Sequence, residues 1–365
     1  YLRFLCCPEC KADLTLHTGS SSNHETSGAA GDSSVQEGSL CCTGCRAAYP
    51  VRNSIPRFVE HSSYAESFGA QWKTFSRSQL DNENYHESQI RFDSEIGWQK
   101  SDLENRSAIE VGSGAGRFVD IVSRQNCQLI VGLDITTAVD AAQENLGDRP
   151  NVFFVQGDIF KSPIKPGSFD FAYSIGVLHH TPNPQAAFGE MVKFVRDEGN
   201  VAVSLYDISL YRRPNRNSLK VSTIELFWSL NLWRCEVFRQ ITTRIPDSLM
   251  ILYCRTVIPV LHVLNKIPVI RFVRYLVPST GYRNLPMICS MVDTMDTYST
   301  KIVHQYRAKD VFQWFRQLGL KETVVMNSRA GWISLNANVG DSASRAARRT
   351  VLRQPDGPGR DGTVE

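Results

Sequence analysis

The sequence predicts an α/β protein with a mostly parallel sheet carrying helices on both faces, a small cysteine-rich module in front and a helical insertion late in the chain. Three observations carry this reading. From residue 107 apolar runs alternate with helical patterns, which argues for a parallel sheet. Gly112-x-Gly114-x-Gly116 sits at the first strand-to-helix junction, and six of the ten cysteines fall in the first 45 residues.

The 365 residues, 42% hydrophobic and 21% charged, suit a globular chain with one large domain and a small one, and exclude a fibrous or disordered class. The net charge of +3 conceals an asymmetry: residues 207–290 hold twelve Lys/Arg against four Asp/Glu, so one surface is basic. The opening YLRFLCCPEC lacks the pattern of a secretory signal, and Tyr1 gives no targeting. The most apolar stretch, 249–277, is broken by Arg255, Lys266, Arg271, Arg274 and two prolines, which predicts no transmembrane segment.

In the front module, Cys7-x2-Cys10 and Cys42-x2-Cys45 have the spacing of zinc knuckles, with a Ser/Gly-rich loop between them. Cys6 and Cys41 leave the register open. The later partners are preferred because Pro8 and Gly44 then lie inside the knuckles; the alternative is a disulfide framework, which needs an oxidising compartment. Four thiolates satisfy a structural zinc and leave no open position for catalysis. The run CPECKADL to CTGCRAAYPVRNSIPRFV resembles the zinc ribbon of the small activator protein that partners tRNA and protein methyltransferases, with Ser54 where that family usually has glycine.

SAIEVGSG, QLIVGLD, NVFFVQGD, FDFAYSIG and NVAVSLY read as strands, with helices between them. The glycine turn suits either tight packing or close approach of backbone to a ligand. Asp134 closes the second strand, where a carboxylate can accept both ribose hydroxyls, and Asp158 closes the third, with Ile159 beside it to flank an adenine. Glu110 ahead of the turn would repel a diphosphate but can hold a cationic amino-acid moiety. The ligand with those features is S-adenosylmethionine.

EVGSGAGRF, VGLDIT, VQGDIF and the run from Tyr173 to Tyr206 are similar, in order and spacing, to the motifs of class I S-adenosylmethionine-dependent methyltransferases, which implies a Rossmann-like sheet. The resemblance puts Glu110, Gly112, Gly114 and Gly116 on the methionine side, Asp134 at the ribose with Ile135 next to it among the cofactor-binding residues, Asp158 and Ile159 at the adenine, and Ser174 facing the cofactor. Asp197-Glu198-Gly199-Asn200 replaces the family's KPGG, and the retained glycine predicts that the next strand survives. The last helix and an antiparallel hairpin are expected at 306–338.

The stretch SYAESFGAQWKTF resembles the FGxQWxxF segment of bacterial methyltransferases that carry this ribbon. Phe68, Gln71, Trp72 and Phe75 fall at helical spacing, as a core stripe, a lid over the cofactor, or both. Methyl transfer needs alignment and water exclusion more than a base. If a base acts, His180 is the first candidate and Tyr206 or Asp207 the reserves, against a structural role for His179 and His180. MICSMVDTMDTY resembles an acceptor-site segment of the same bacterial group, which implicates Asp293, Asp296 and Tyr298.

The organisation expected is a ribbon over 1–60, a lid segment over 61–104 made of a helical stretch at 62–80 and a polar bridge after it, the cofactor core over 105–206, a helical cap over 207–305, the closing helix and hairpin over 306–338 and a disordered tail over 339–365. The expected activity is methylation of a hydroxyl on a small metabolite, sugar or lipid-linked acceptor, in a reducing, cytoplasmic compartment. An RNA methyltransferase and a non-catalytic scaffold are the competing readings, and the basic insertion allows peripheral membrane contact.

Overall fold

The structure, a computed structural model, describes residues 2–18, 35–59, 65–83, 85–208, 233–268, 275–280, 286–327 and 332–341. The Ser/Gly-rich loop at 19–34, the cap residues 209–232 and the tail beyond 341 lie outside the described residues.

The front module is a four-stranded antiparallel sheet in sequence order: β1 (Leu14–His17), β2 (Glu37–Cys42), β3 (Ala48–Arg52) and β4 (Ile55–Pro56). The core is a seven-stranded sheet of β5 (Ser107–Val111), β6 (Leu129–Asp134), β7 (Val152–Gln156), β8 (Phe169–Ile175), β9 (Val195–Tyr206), β10 (Lys321–Asn327) and β11 (Trp332–Asn338). Its order is β10-β11-β9-β8-β5-β6-β7, with β7 through β9 parallel and the β10–β11 hairpin antiparallel at one edge. All five residues of β5 and all seven of β8 are buried, as expected of strands covered on both faces. Strand order reverses between β5 and β8, and a crevice beyond the carboxyl ends of those strands is where such sheets take ligands.

The stretch expected as a polar bridge after residue 80 folds instead into α2 (Glu87–Glu95) and α3 (Lys100–Leu103), following α1 (Glu66–Thr74). Its apolar residues are sparse, but Phe92, Ile96, Trp98 and Leu103 all enter the core beside Ala108, Phe171 and Tyr173. The helices α4 (Arg117–Ser123), α5 (Ala138–Leu146) and α6 (Pro184–Lys193) connect the parallel strands. α6 ends at Lys193, where Phe194 and Val195 turn into the core. β9 then passes a tight corner: Glu198 takes φ +60°, and a Cβ on Gly199 would lie 2.4 Å from the Asp170 carbonyl.

The insertion contributes α7 (residues 233–242), α8 (Asp247–Leu264) and α9 (Met287–Ser299), and α10 (Ala308–Gln317) precedes the hairpin. Met250, Cys254 and Ile258 of α8 pack with Met291, Met295 and Tyr298 of α9 in a separate apolar cluster that also takes in Phe75. α8 is long and apolar enough to cross a bilayer by length and composition, with a mean hydropathy of 1.4, because the interruptions read from the sequence fall mostly beyond its end; Arg255 is the basic residue inside it.

The front module is stitched to the β7 side of the core. Cys6 N–H donates to the Pro163 carbonyl and Phe58 N–H to the Gln156 carbonyl, each at 2.8 Å, and Lys165 N–H donates to the Phe4 carbonyl. Arg57 Nη1 donates to Gln156 Oε1 at 2.9 Å while its other terminal nitrogen pairs with Asp140.

Candidate active site

A cavity of about 1590 Å³ opens at the carboxyl ends of β5, β6, β8 and β9, between the sheet, α1 and the cap. Drug-sized ligand sites run to about 1,000 Å³, so there is room for a nucleoside and a second substrate together.

The glycine turn forms one wall. Gly112 has φ +79° and a Cβ there would lie 2.2 Å from Val177, so this position excludes a side chain on both backbone and packing grounds. Gly114 N–H donates to Asp134 Oδ2 at 2.8 Å, and the Trp72 indole lies close above this glycine. Asp134 Oδ1 accepts from both the N–H and the hydroxyl of Thr136. Burial pushes the Asp134 carboxyl up from its ordinary range, against the pull of those donors. Glu110 is more extreme: burial raises it well above a normal carboxylate, with Tyr173 Oη as its side-chain donor at 3.4 Å. A buried carboxylate of this kind is shaped for a cationic partner. Ser113 Oγ, also buried and lining the cavity, has no hydrogen-bond partner among the described residues.

Of the residues singled out from the sequence, Glu110, Gly112, Gly114, Asp134, Ile135, Ile159 and His180 line the cavity. Gly116, Asp158 and Ser174 do not. Gly116 is the left-handed N-cap of α4, packed under Leu146; Asp158 Oδ1 accepts from Phe160 N–H in a turn; and Ser174 Oγ donates to the Val111 carbonyl, tying β8 to β5.

α1 divides its face between the cavity and the apolar core. Phe68, Gln71 and Trp72 line the cavity, while Phe75 is buried in the cap cluster. His180 Nδ1 donates to the Ile302 carbonyl at 2.8 Å, its ring packs on Phe68, and burial pushes it down to about 4. It joins the strand end to the cap and stays neutral.

The far half of the cavity is polar. Residues 289, 293 and 296 follow helical spacing, which sets Cys289, Asp293 and Asp296 along one face of α9, and all three line the cavity. Tyr206 Oη, at the end of β9, donates to Asp296 Oδ2 at 3.0 Å. Burial raises the Asp296 carboxyl to about 6, with the Tyr206 bond and the Arg91 and Arg239 charges opposing the rise. Tyr298 also lines the cavity and is shared with the cap cluster, where its hydroxyl meets Cys235.

Sequence reasoning missed the cations of the cavity wall, Arg91 and Arg117 among them. Arg91 pairs with Glu95 at 2.7 Å and lies 3.9 Å over the Trp332 ring. Arg117 donates to Ser88 Oγ and Gln79 Oε1, and burial lowers it to about 10. Arg117 directly follows the glycine turn and could have been flagged by position. Arg91 lies in the stretch taken for a bridge, with no motif to mark it.

Away from the cavity, the Sγ atoms of Cys7, Cys10, Cys42 and Cys45 all lie within 4.8 Å of one another, which resolves the register left open by Cys6 and Cys41. A tetrahedral zinc with Zn–S bonds near 2.3 Å spaces its sulfurs by about 3.8 Å. The Cys7–Cys45 and Cys10–Cys42 separations of 3.6 and 3.4 Å fit that size.

Comparison with known families matches residues 109–203 to the methyltransferase domain and residues 2–54 to Trm112p-like proteins, so the chain carries a methyltransferase domain behind a Trm112p-like one. The sterol 24-C-methyltransferase of Kluyveromyces lactis is 28% identical over 126 residues, 33% of this chain and 34% of that one. This chain therefore spans about a third of that relative. Among solved structures, a complex of the Haloferax volcanii Trm112 methyltransferase activator with a methyltransferase is similar over 34% of this chain and 59% of that one, at 18% identity and a TM-score of 0.29. Human N-acetylserotonin methyltransferase in complex with SAM is similar over 69% of this chain and 52% of its own, at 12% identity and a TM-score of 0.39.

Proposed function

We propose that this chain, with its methyltransferase domain behind a Trm112p-like one, transfers the methyl group of S-adenosylmethionine to a hydroxyl of a small or lipid-linked acceptor. The observation that carries the reading is the convergence of Glu110, the glycine turn and Asp134 on one side of a cavity whose other side holds the Tyr206–Asp296 pair.

The bound cofactor supplies an electrophilic methyl group on a sulfonium. Asp134 is the residue to hold its ribose hydroxyls, Ile135 and Ile159 to flank its adenine, and Glu110 to face its ammonium. Trp72 and Phe68 keep water from the reacting centre. An acceptor hydroxyl hydrogen-bonded to the Tyr206–Asp296 pair would give its proton to the Asp296 carboxylate as its oxygen takes the methyl group and the methyl–sulfur bond breaks, with S-adenosylhomocysteine as the leaving group, so the pair takes the role first considered for His180. The four front cysteines hold a zinc ion that supports the ribbon and takes no part in the chemistry.

Calorimetry with S-adenosylhomocysteine tests the cofactor assignment: micromolar binding to the intact chain, lost in Asp134→Ala, is expected. Absence of binding to a folded, zinc-loaded chain would overturn the enzyme reading and leave the scaffold. The Trm112p-like match favours RNA as a second acceptor class, and tRNA retention that falls steeply with salt would select it.

A further inference from the structure

α8 is apolar on two opposite sides. Residues 250, 254, 258 and 261 face α9 and are buried. On the other side Leu249, Leu252, Val260 and Val263, continued by Ile267 just past the helix end, are 44–58% exposed, with the exposed Thr256 between them. Their spacing of three and four residues makes one stripe, which at 1.5 Å per residue runs about 27 Å. A helix that is hydrophobic all round is ordinarily covered, and nothing among the described residues covers this side.

Charge selects the occupant. Arg255 and Lys266 are exposed on α8 and just after it, Arg244 is exposed just before it, and the sequence segment 207–290 that contains α8 holds twelve Lys/Arg against four Asp/Glu. A second copy would bring two such segments together at the cost of like-charge repulsion. An anionic lipid surface complements both the apolar stripe and its basic surroundings. On the neighbouring α7, Trp233 is 68% exposed at the rim of the cavity, the kind of amphipathic ring that sits at a headgroup boundary. Lying flat fits better than crossing, because the opposite face of α8 is committed to the cap cluster.

We propose that the outer face of α8 docks the protein in plane on an anionic bilayer surface. The proposal stands independently of the reaction assigned to the cavity. Flotation with vesicles of phosphatidylcholine alone, or mixed with phosphatidylglycerol, tests it on the full zinc-loaded chain. Partitioning about tenfold stronger onto the anionic vesicles, weakening as salt rises, is expected, and it should be lost in the double variant Leu252→Glu, Val263→Glu. Both positions are exposed, so that variant should keep wild-type S-adenosylhomocysteine binding, a readout that fails separately if the cofactor assignment is wrong. No flotation of the wild type at low salt, equal binding to both vesicles, or unchanged flotation of the variant overturns the proposal. Light scattering that finds a dimer which the same variant dissociates also overturns it, in favour of a second copy.

Discussion

At the scale of single residues, the proposed chemistry turns on the side chains of Glu110, Asp296 and Tyr206. Burial holds Glu110 protonated to higher pH than an ordinary carboxylate, and an arriving ammonium favours its charged form. Cofactor binding should therefore release a proton, and affinity should rise with pH through the range where Glu110 titrates; calorimetry in buffers of different ionisation enthalpy reads this, and proton uptake would refute it. Asp296 must be charged to act as a base, so kcat should rise with pH through about 6. Asp296→Asn should lower kcat by 10²-fold or more, roughly the contribution of a general base, while cofactor affinity holds. Because the Tyr206 bond draws the Asp296 carboxyl downward, Tyr206→Phe should move the acid limb of the pH profile up. Gly112→Ala meets Val177 at 2.2 Å with φ at +79°, so loss of cofactor binding and a lower Tm are expected.

At the scale of elements, α1 splits its face between two tasks, and the split can be measured. Phe75→Ala removes a ring from the cap cluster and should cost about 3 kcal/mol or more of stability by denaturant titration. Trp72→Ala removes the ring above Gly114 and should weaken S-adenosylhomocysteine binding with a smaller effect on Tm. The parallel strands were legible because they read as short, largely apolar runs between helical patterns and Asp134 closes its strand beside the turn. The cavity-facing residues of α1 were legible too, since aromatic spacing survives whichever task the ring has. α2 was not, because its face combines the buried Phe92 with Arg91 and Glu95, and an internal ion pair reads in sequence as a solvated surface. Asp158 and Ser174 show a different limit of sequence reading. A polar residue at a strand end can satisfy itself on local backbone, and motif position cannot tell that from a ligand contact.

On the scale of the whole molecule, the ribbon and the core behave as one body along the β7 edge. That edge would otherwise present unpaired backbone groups, and the ribbon's strand-end residues occupy part of it. Chelation of the metal should lower the Tm of the main unfolding transition rather than melt the ribbon alone, and differential scanning calorimetry separates these outcomes. Arg57→Ala cuts the link to Gln156 and Asp140, and should lower the same Tm by a smaller amount. The four-cysteine spacing made the ribbon visible in sequence. Its docking partner was not, because the backbone groups of Gln156, Pro163 and Lys165 that meet the ribbon carry no signature in residue identity.

The stitching of residues 4–6 and 58 to residues 156–165 also has a consequence for the order in which the molecule is made. During synthesis at about 5–20 residues per second, the ribbon leaves the ribosome several seconds before its docking strand exists. For that interval Phe4 and Leu5, both buried in the finished protein, face water. A nascent ribbon that captures its ion early waits as a folded unit, whereas one starved of metal offers loose apolar chain to chaperones at the moment the sheet begins to form.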